Sequence, residues 1–444
     1  MRLVSCLKVT LVALVTALLL SGCGGSDSGS PAKTTTIFYT SDTHYGLKRV
    51  AFSGMSSAQQ VNEAMIDEMD RLQQQGVKLP NDDGVNAGQS IVEVDFVAHT
   101  GDTINRSEGA VYPYKNAPAA AIWAQFQADY FTRLDVTDRS GKQAPLYLAP
   151  GNHEISDSIG YYKAGSVLDA TAYANIYNLM MNPATSMTSA SFIGSSAPIQ
   201  FADTANYTAG MTTGGASYTT PANRTVTSRD VNGVHFLFVG MWPDAINRNL
   251  IDADLAKVSP TTPVVLFTHA PPEAEAKILT NPYTPPAAAF PVGTMSINST
   301  NMFEAVISDV FIPPTSPAPT SVTPYSDPPT NSVEYQVLGN QRALVAWLKT
   351  HKNIVAWFNG HDNYNQFYDF TGPDNDISLP TFRVDSPMKG DISGLGTSTP
   401  DPTKLSFQVI SIDAGAKHMT VREYLWDTKT WGVSRTISLA PRAN

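Results

Sequence analysis

The stretch "TTIFYTSDTHYG", residues 35–46, is a short β-branched and aromatic run that stops at a polar turn carrying Asp42 and His44. Alternation along an extended chain puts these two side chains on the same side, within reach of one ion, although that spacing is also common by chance. What decides the fold is that the same construction recurs. "FVAHT" (96–100) leads into Gly101-Asp102, "LYLAP" (146–150) into Gly151-Asn152-His153-Glu154, "VVLFT" (264–268) into His269, and "VAWFN" (355–359) into Gly360-His361-Asp362-Asn363. Each run is apolar, brief and bounded by turn residues, which predicts a buried strand. Strand ends in layered α/β sheets converge on one crevice, so metal-capable side chains that come after several strands point to a shared site. Glycine before Asp102, Asn152 and His361 is expected to let the backbone turn sharply there.

Around these runs lie further strand-like segments at 234–241, 405–413 and 419–426. Helical periodicity occupies 57–75, with Val61, Met65, Met69 and Leu72 on one face and Gly76 as its C-terminal stop. It returns at 118–134, where Ile122, Phe126 and Phe131 face inward, and at 340–351. Strands alternating with helices predict a layered α/β architecture. Residues 155–230, rich in Ser, Thr, Ala and Gly, and residues 271–335, rich in Pro, Thr and Ser, are expected to be irregular insertions that wall a binding site. A disordered spacer is an equal alternative for the Pro-rich part.

The chain has 444 residues and a formal charge of -10, which argues against a basic face for nucleic acid. It opens with a basic start, an apolar run over 11–20 and small residues before Cys23, the pattern of an export signal. "LLSGC" resembles a bacterial lipobox, which implies cleavage before Cys23 and acylation of that cysteine. Gly24 stands where an inner-membrane retention signal would place Asp, so the resemblance implies an envelope lipoprotein of the outer membrane, on its periplasmic side or its surface. The organisation expected is a signal over 1–22, a Gly/Ser-rich tether over 23–34, and one domain over 35–440. The two cysteines, Cys6 and Cys23, both fall before that domain. Any metal in it must therefore be held by imidazole, carboxylate, amide or water, which excludes thiolate zinc and iron–sulfur sites.

The ordered set D-x-H, G-D, G-N-H-E, H and G-H-x-N resembles the motifs of the calcineurin-like metallophosphoesterases. The resemblance implies a four-layer sandwich of two mixed β-sheets flanked by helices, and two divalent or trivalent metal ions (Mn, Fe or Zn). It implies that Asp42 and His44 bind the first ion, that Asp102 bridges, and that Asn152, His269 and His361 complete the second. His153 would face a phosphate-ester substrate and assist the leaving oxygen, while water activated by both ions attacks phosphorus. Whether mono- or diesters are cleaved stays open. The sequence departs from the family at Asn363, where a second histidine is usual; an amide oxygen is a weaker ligand, which invites a harder ion, or recruitment of Asp362 or water. It departs again at Asn105, where Asp or Tyr is usual, so no tyrosinate–iron colour is expected. The alternative is an exported binding lipoprotein that keeps the fold without turnover.

Other polar residues are less telling. His99 is expected to be structural, with contact to the site as the alternative. Tyr45 and Arg106, beside motif residues, are expected to be exposed, with phosphate contact as the alternative, and Trp242 is expected to pack. His235, His351 and His418 match no motif. Asn206 and Asn223 lie in glycosylation sequons that a bacterial chain would leave unused.

Overall fold

In the first strand Ile37 and Tyr39 face one way and Phe38 the other, and this two-residue alternation sets the layers of the fold. The computed structural model describes residues 34–52, 54–104, 119–151, 226–273, 333–388 and 405–444. Among them run β1 (Thr34–Thr40), β2 (Lys48–Phe52), β3 (Met55–Ser57), β4 (Phe96–His99), β5 (Leu146–Leu148), β6 (Val226–Val231) and β7 (Val234–Val239). Then come β8 (Val264–Thr268), β9 (Ile354–Asn359), β10 (Gln366–Phe370), β11 (Leu379–Arg383), β12 (Ser406–Asp413), β13 (His418–Leu425) and β14 (Thr430–Ser438). The helices among the described residues are α1 (Ala58–Gln74), α2 (Ala119–Gln127), α3 (Ala245–Leu255) and α4 (Val333–Thr350); a π-helical turn, Ala128–Arg133, prolongs α2.

Two six-stranded sheets form, in the orders β14-β13-β12-β1-β4-β5 and β10-β11-β9-β8-β7-β6. Both are mixed: β1 runs parallel to β4 and antiparallel to β12, and β9 runs parallel to β8 and β11 while β10 opposes β11. Ile37, Tyr39, Phe96 and Ala98 of the first sheet pack against Phe236, Phe238, Phe267 and Phe358 of the second. Phe38 and Val97, on the outer face, meet Val61, Met65 and Met69 of α1 and Phe126 of α2. On the other outer face Leu237, Leu266 and Trp357 meet Ile251 of α3 and Leu344 and Leu348 of α4. The order is therefore helices, sheet, sheet, helices, the expected four-layer sandwich.

Register levels the strand ends of the second sheet. Phe238, Phe267, Phe358 and Phe382 are direct neighbours across β7, β8, β9 and β11. Their rings stack in sequence, with centroids 5.0, 4.8 and 4.9 Å apart. Such pairs are worth about 0.5–1.5 kcal/mol each beyond burial. The row holds these strands level, so the residues after β8 and β9 emerge at one height.

The helix expected over 57–75 is α1, and its ends explain it. Ser57 caps the N-terminus and exchanges hydrogen bonds with Gln60. Gly76, at φ 57°, donates to the Gln73 carbonyl while Val77 donates to that of Leu72 at 2.8 Å, closing the helix with a Schellman motif. Elsewhere the boundaries move. The run 92–100 pairs as a strand only from Phe96, because the Val94 N–H goes instead to the Thr137 carbonyl. Helix α4 starts at Val333 rather than 340: Gly339 costs about 1 kcal/mol in a helix interior, too little to break this one. Strand β6 occupies the end of the stretch expected to be irregular up to 230.

His235 on β7 is buried, with Nδ1 2.8 Å from Asp230 on β6 and Nε2 2.8 Å from Asp254 on α3. Two accepting carboxylates require both ring nitrogens to donate, so the ring is an imidazolium. Burial opposes the charge, but the bonds to Asp254 and Asp230 outweigh it and the pKa is raised. A raised folded pKa contributes stability that is present below the unfolded value of about 6.5 and is lost as pH rises through the folded pKa. The stability gap between wild type and His235→Gln, read from urea midpoints, should be widest below the unfolded value of about 6.5 and narrow as pH rises through the raised folded pKa. A gap that does not change with pH would refute the assignment.

Candidate metal centre

Strand β1 ends at Thr40, and the next turns are tied to the loop after its parallel neighbour β4. Asp42 N–H donates to the Gly101 carbonyl, His44 N–H to that of Asp102 and Tyr45 N–H to that of Thr103, each at 2.9 Å. These bonds continue the ladder past the strands and carry Asp42, His44 and Asp102 to one place. From the second sheet His269 comes after β8 and donates from Nδ1 to the Thr100 carbonyl at 2.8 Å. His361 comes after β9, and its N–H donates to Asp42 Oδ2 at 2.9 Å. The site thus lies on the seam where the C-terminal ends of both sheets meet.

Two buried triads result, Asp42–His44–Asp102 and Asp102–His269–His361, each with its donor atoms within 4.8 Å of one another. Asp102 belongs to both, and its two oxygens are divided between them. Oδ1 is 3.3 Å from His269 Nε2 and Oδ2 is 3.8 Å from His44 Nε2. His44 Nε2 is also 3.8 Å from Asp42 Oδ1, and His269 Nε2 is 3.1 Å from His361 Nδ1. Because Nδ1 of His269 is the donor to a carbonyl, its Nε2 presents a lone pair. A lone pair facing a carboxylate oxygen gains only when a proton or cation lies between them.

The electrostatics point the same way. Burial pushes the Asp42 carboxyl up; His269 opposes this, and the charge of Asp102 adds to it. Two buried carboxylates so close together call for positive charge. Asp42 Oδ1 is buried without a hydrogen-bond partner among the described residues, and so is Asn363 Oδ1, whose amide nitrogen donates to the His361 carbonyl at 3.0 Å. Carboxylate, imidazole and amide oxygen without thiolate form a donor set that suits Mn, Fe or Zn. The residues present therefore fit a pair of metal ions.

The backbone is strained where these side chains sit. Asp42, His44, Asp102, His361 and Asn363 have φ of 56°, 43°, 51°, 76° and 62°. Left-handed conformations cost non-glycine residues of the order of 1–3 kcal/mol each, persist only where neighbours enforce them, and cluster at functional sites.

Of the residues singled out from the sequence, Asp42, His44, Asp102, His269 and His361 are brought together, and Asn363 shares the loop of His361. Asn152, His153, Glu154, Asn105, Arg106, Cys23, Asn206 and Asn223 lie outside the described residues. His99 is buried; its Nδ1 accepts the Gly101 N–H at 3.1 Å and its other nitrogen meets Thr43 Oγ1 at 3.2 Å, so it braces both turns. Tyr45, expected to be exposed, is fully buried and donates to Asp129 at 2.7 Å. Trp242 packs in the core between α3, α4 and the second sheet. Asp362, the suggested substitute ligand, pairs with Arg383 at 2.9 Å.

Three supports escape a reading of the sequence. Ser386 donates to the Asp42 carbonyl at 2.7 Å, and Asn62 on α1 donates to that of Thr43 at 2.9 Å. Arg383 is the third. Only Asn62 leaves a signal, as a polar residue inside the apolar stripe of an amphipathic helix.

A model of the calcineurin-like phosphoesterase family matches residues 35–290. No curated protein matches the chain. Among solved structures it is similar to a purple acid phosphatase from yellow lupin (Lupinus luteus) seeds at 13% identity and a TM-score of 0.43, covering 92% of this chain and 55% of that one. The chain thus spans about half the length of the lupin enzyme. It is also similar to a dimetal phosphatase from Danio rerio at 9% identity and a TM-score of 0.41, covering 92% of this chain and all 100% of that one.

Proposed function

This chain belongs to the calcineurin-like phosphoesterase family, and from that premise we propose that it hydrolyses phosphate esters with a pair of metal ions, for which Asp102 would be the common ligand. The observation that carries the reading is the pair of buried triads with one common carboxylate. Asp42 and His44, with Asn363, would hold the first ion; His269 and His361, with Asn152, would hold the second. When bound, such a pair supplies positive charge to phosphoryl oxygens and acidifies water for attack on phosphorus. The chain's own groups do the rest. Thr100 fixes the His269 tautomer through its carbonyl, and the His361 N–H fixes the Asp42 carboxylate. His153 would protonate the leaving oxygen.

The test is hydrolysis of an aryl phosphate by protein supplied with manganese, alongside metal content per chain and a His153→Ala variant. Expected are two equivalents of metal, metal-dependent turnover, and a fall of roughly 10²-fold or more in the variant. Equal rates would remove His153 from the mechanism. Metal binding without turnover in either protein would favour the binding-protein alternative.

Asn363 makes a sharper prediction. Imidazole suits iron and zinc better than a neutral amide oxygen does. Asn363→His should tighten the first site about tenfold, close to 1.4 kcal/mol, in competition with a chelating dye. Unchanged affinity would take Asn363 out of the ligand set. Export belongs to the same proposal, with the protein anchored to the envelope through acylated Cys23. Mass spectrometry of the N-terminal peptide tests that, since Cys23→Ser should lose both lipid and membrane association.

A further inference from the structure

Arg383 closes β11 directly beside Asn359, the last residue of β9, so its guanidinium sits at the strand end that delivers His361, Asp362 and Asn363. It is only 6% exposed, and its polar contacts bear on that loop. Nη2 pairs with Asp362 Oδ2 at 2.9 Å. Nη1 donates to Gln366 Oε1 at 2.6 Å and to the Tyr364 hydroxyl, while the guanidinium lies over the Tyr364 ring at 4.5 Å from its centroid. The Arg383 carbonyl accepts from Gln408 on β12 at 2.8 Å, tying this corner to the first sheet. Asp362 separates two residues in the left-handed region, His361 and Asn363. The His361 N–H is held by Asp42 and the Asn363 amide by the His361 carbonyl, and the carboxylate between the two strained residues is held by Arg383.

We propose that Arg383 is a positioning residue for the metal centre: by binding Asp362 it holds the His361–Asn363 turn with both ligands facing the ions and keeps the Asp362 carboxylate from joining them. This rests on the reading of the site as a metal pair. An arginine suits the task because its planar fork keeps a fixed orientation while stacked on a tyrosine, which a lysine cannot reproduce. The motif contains no arginine, and the residue lies twenty positions beyond Asn363 in the sequence.

The test is calorimetric titration of manganese into chelator-stripped full-length protein, for wild type, Arg383→Gln, Arg383→Lys, Asp362→Asn and the Arg383→Gln/Asp362→Asn double variant. Each single neutral variant should weaken binding about tenfold, the range seen when groups that orient ligands are removed. The double variant should be no weaker than either single one, because both remove the same clamp, and lysine should restore part of the loss. Binding equal to wild type in Asp362→Asn and Arg383→Gln, or additive losses in the double variant, would overturn the proposal. Should Arg383→Gln fail to fold by circular dichroism, the near-isosteric Asp362→Asn decides alone. Wild type that takes up neither manganese nor iron nor zinc would refute the metal reading itself, a result distinct from failure of the clamp.

Discussion

Asp102→Asn is expected to abolish turnover, with kcat lower by roughly 10³-fold or more, about 4 kcal/mol of lost transition-state stabilisation. The reason is the division of labour in one carboxylate. Oδ1 faces His269 and Oδ2 faces His44, so an amide, which keeps one oxygen and replaces the other with a donor, can serve one triad but not both. Metal content should fall from two equivalents to one or none. The stripped protein should behave in the opposite way. Asp102 adds to the repulsion that Asp42 suffers in its buried place, and removing that charge relieves it. Chelator-treated Asp102→Asn should therefore melt at the same temperature as chelator-treated wild type or higher, a trade of function against stability expected of a binding centre. Turnover within about tenfold of wild type, or an apo-protein that melts well below wild type, would refute the shared-carboxylate reading.

The asymmetry in what the sequence makes legible comes from burial. Strands β1, β4, β7, β8 and β9 are buried throughout or nearly so, and they appear in the sequence as short runs rich in β-branched and aromatic residues. Strand β10 is mostly half-buried and β14 largely exposed, and "QFYDF" and "TWGVSRTIS" leave no apolar run to recognise. The residue types proposed as ligands are legible because each comes directly after a strand. The loop conformations that aim them are not, since a left-handed aspartate or histidine looks like any other in a sequence. Tyr45 illustrates this limit: adjacency to His44 says nothing of direction, and the ring turns inward against Phe126, 5.6 Å away. Arg383 carries no motif at all; its role comes from β11 lying beside β9, a pairing between strands remote in sequence.

The glycines before motif residues stand at the expected positions, but sharp turning explains only one of them. Of the three, Gly101 alone has a positive φ, at 100°. Gly360 serves close approach instead. A Cβ there would overlap Asp42 Oδ2 and Ser41 Oγ and come within 2.6 Å of Ser41 Cβ. Gly360→Ala should therefore be a steric probe of the metal centre, because the backbone itself accepts alanine. Asp42 cannot swing aside: it is fully buried and its Oδ2 is held by the His361 N–H. The expected cost is about 1–3 kcal/mol of stability, typical of overpacking. Activity should fall further, by roughly 10²-fold, since the displaced group is one of the proposed metal ligands and misplacement by about 1 Å is enough for that loss. Gly339→Ala is the matched control, with nothing within 4 Å of its added methyl and a helical position that favours alanine. It should leave activity unchanged and raise the melting temperature slightly. If Gly360→Ala matched that control in both turnover and melting temperature, the seam between the sheets would be looser than the geometry requires, and Asp42 would not be held where a metal ligand must be.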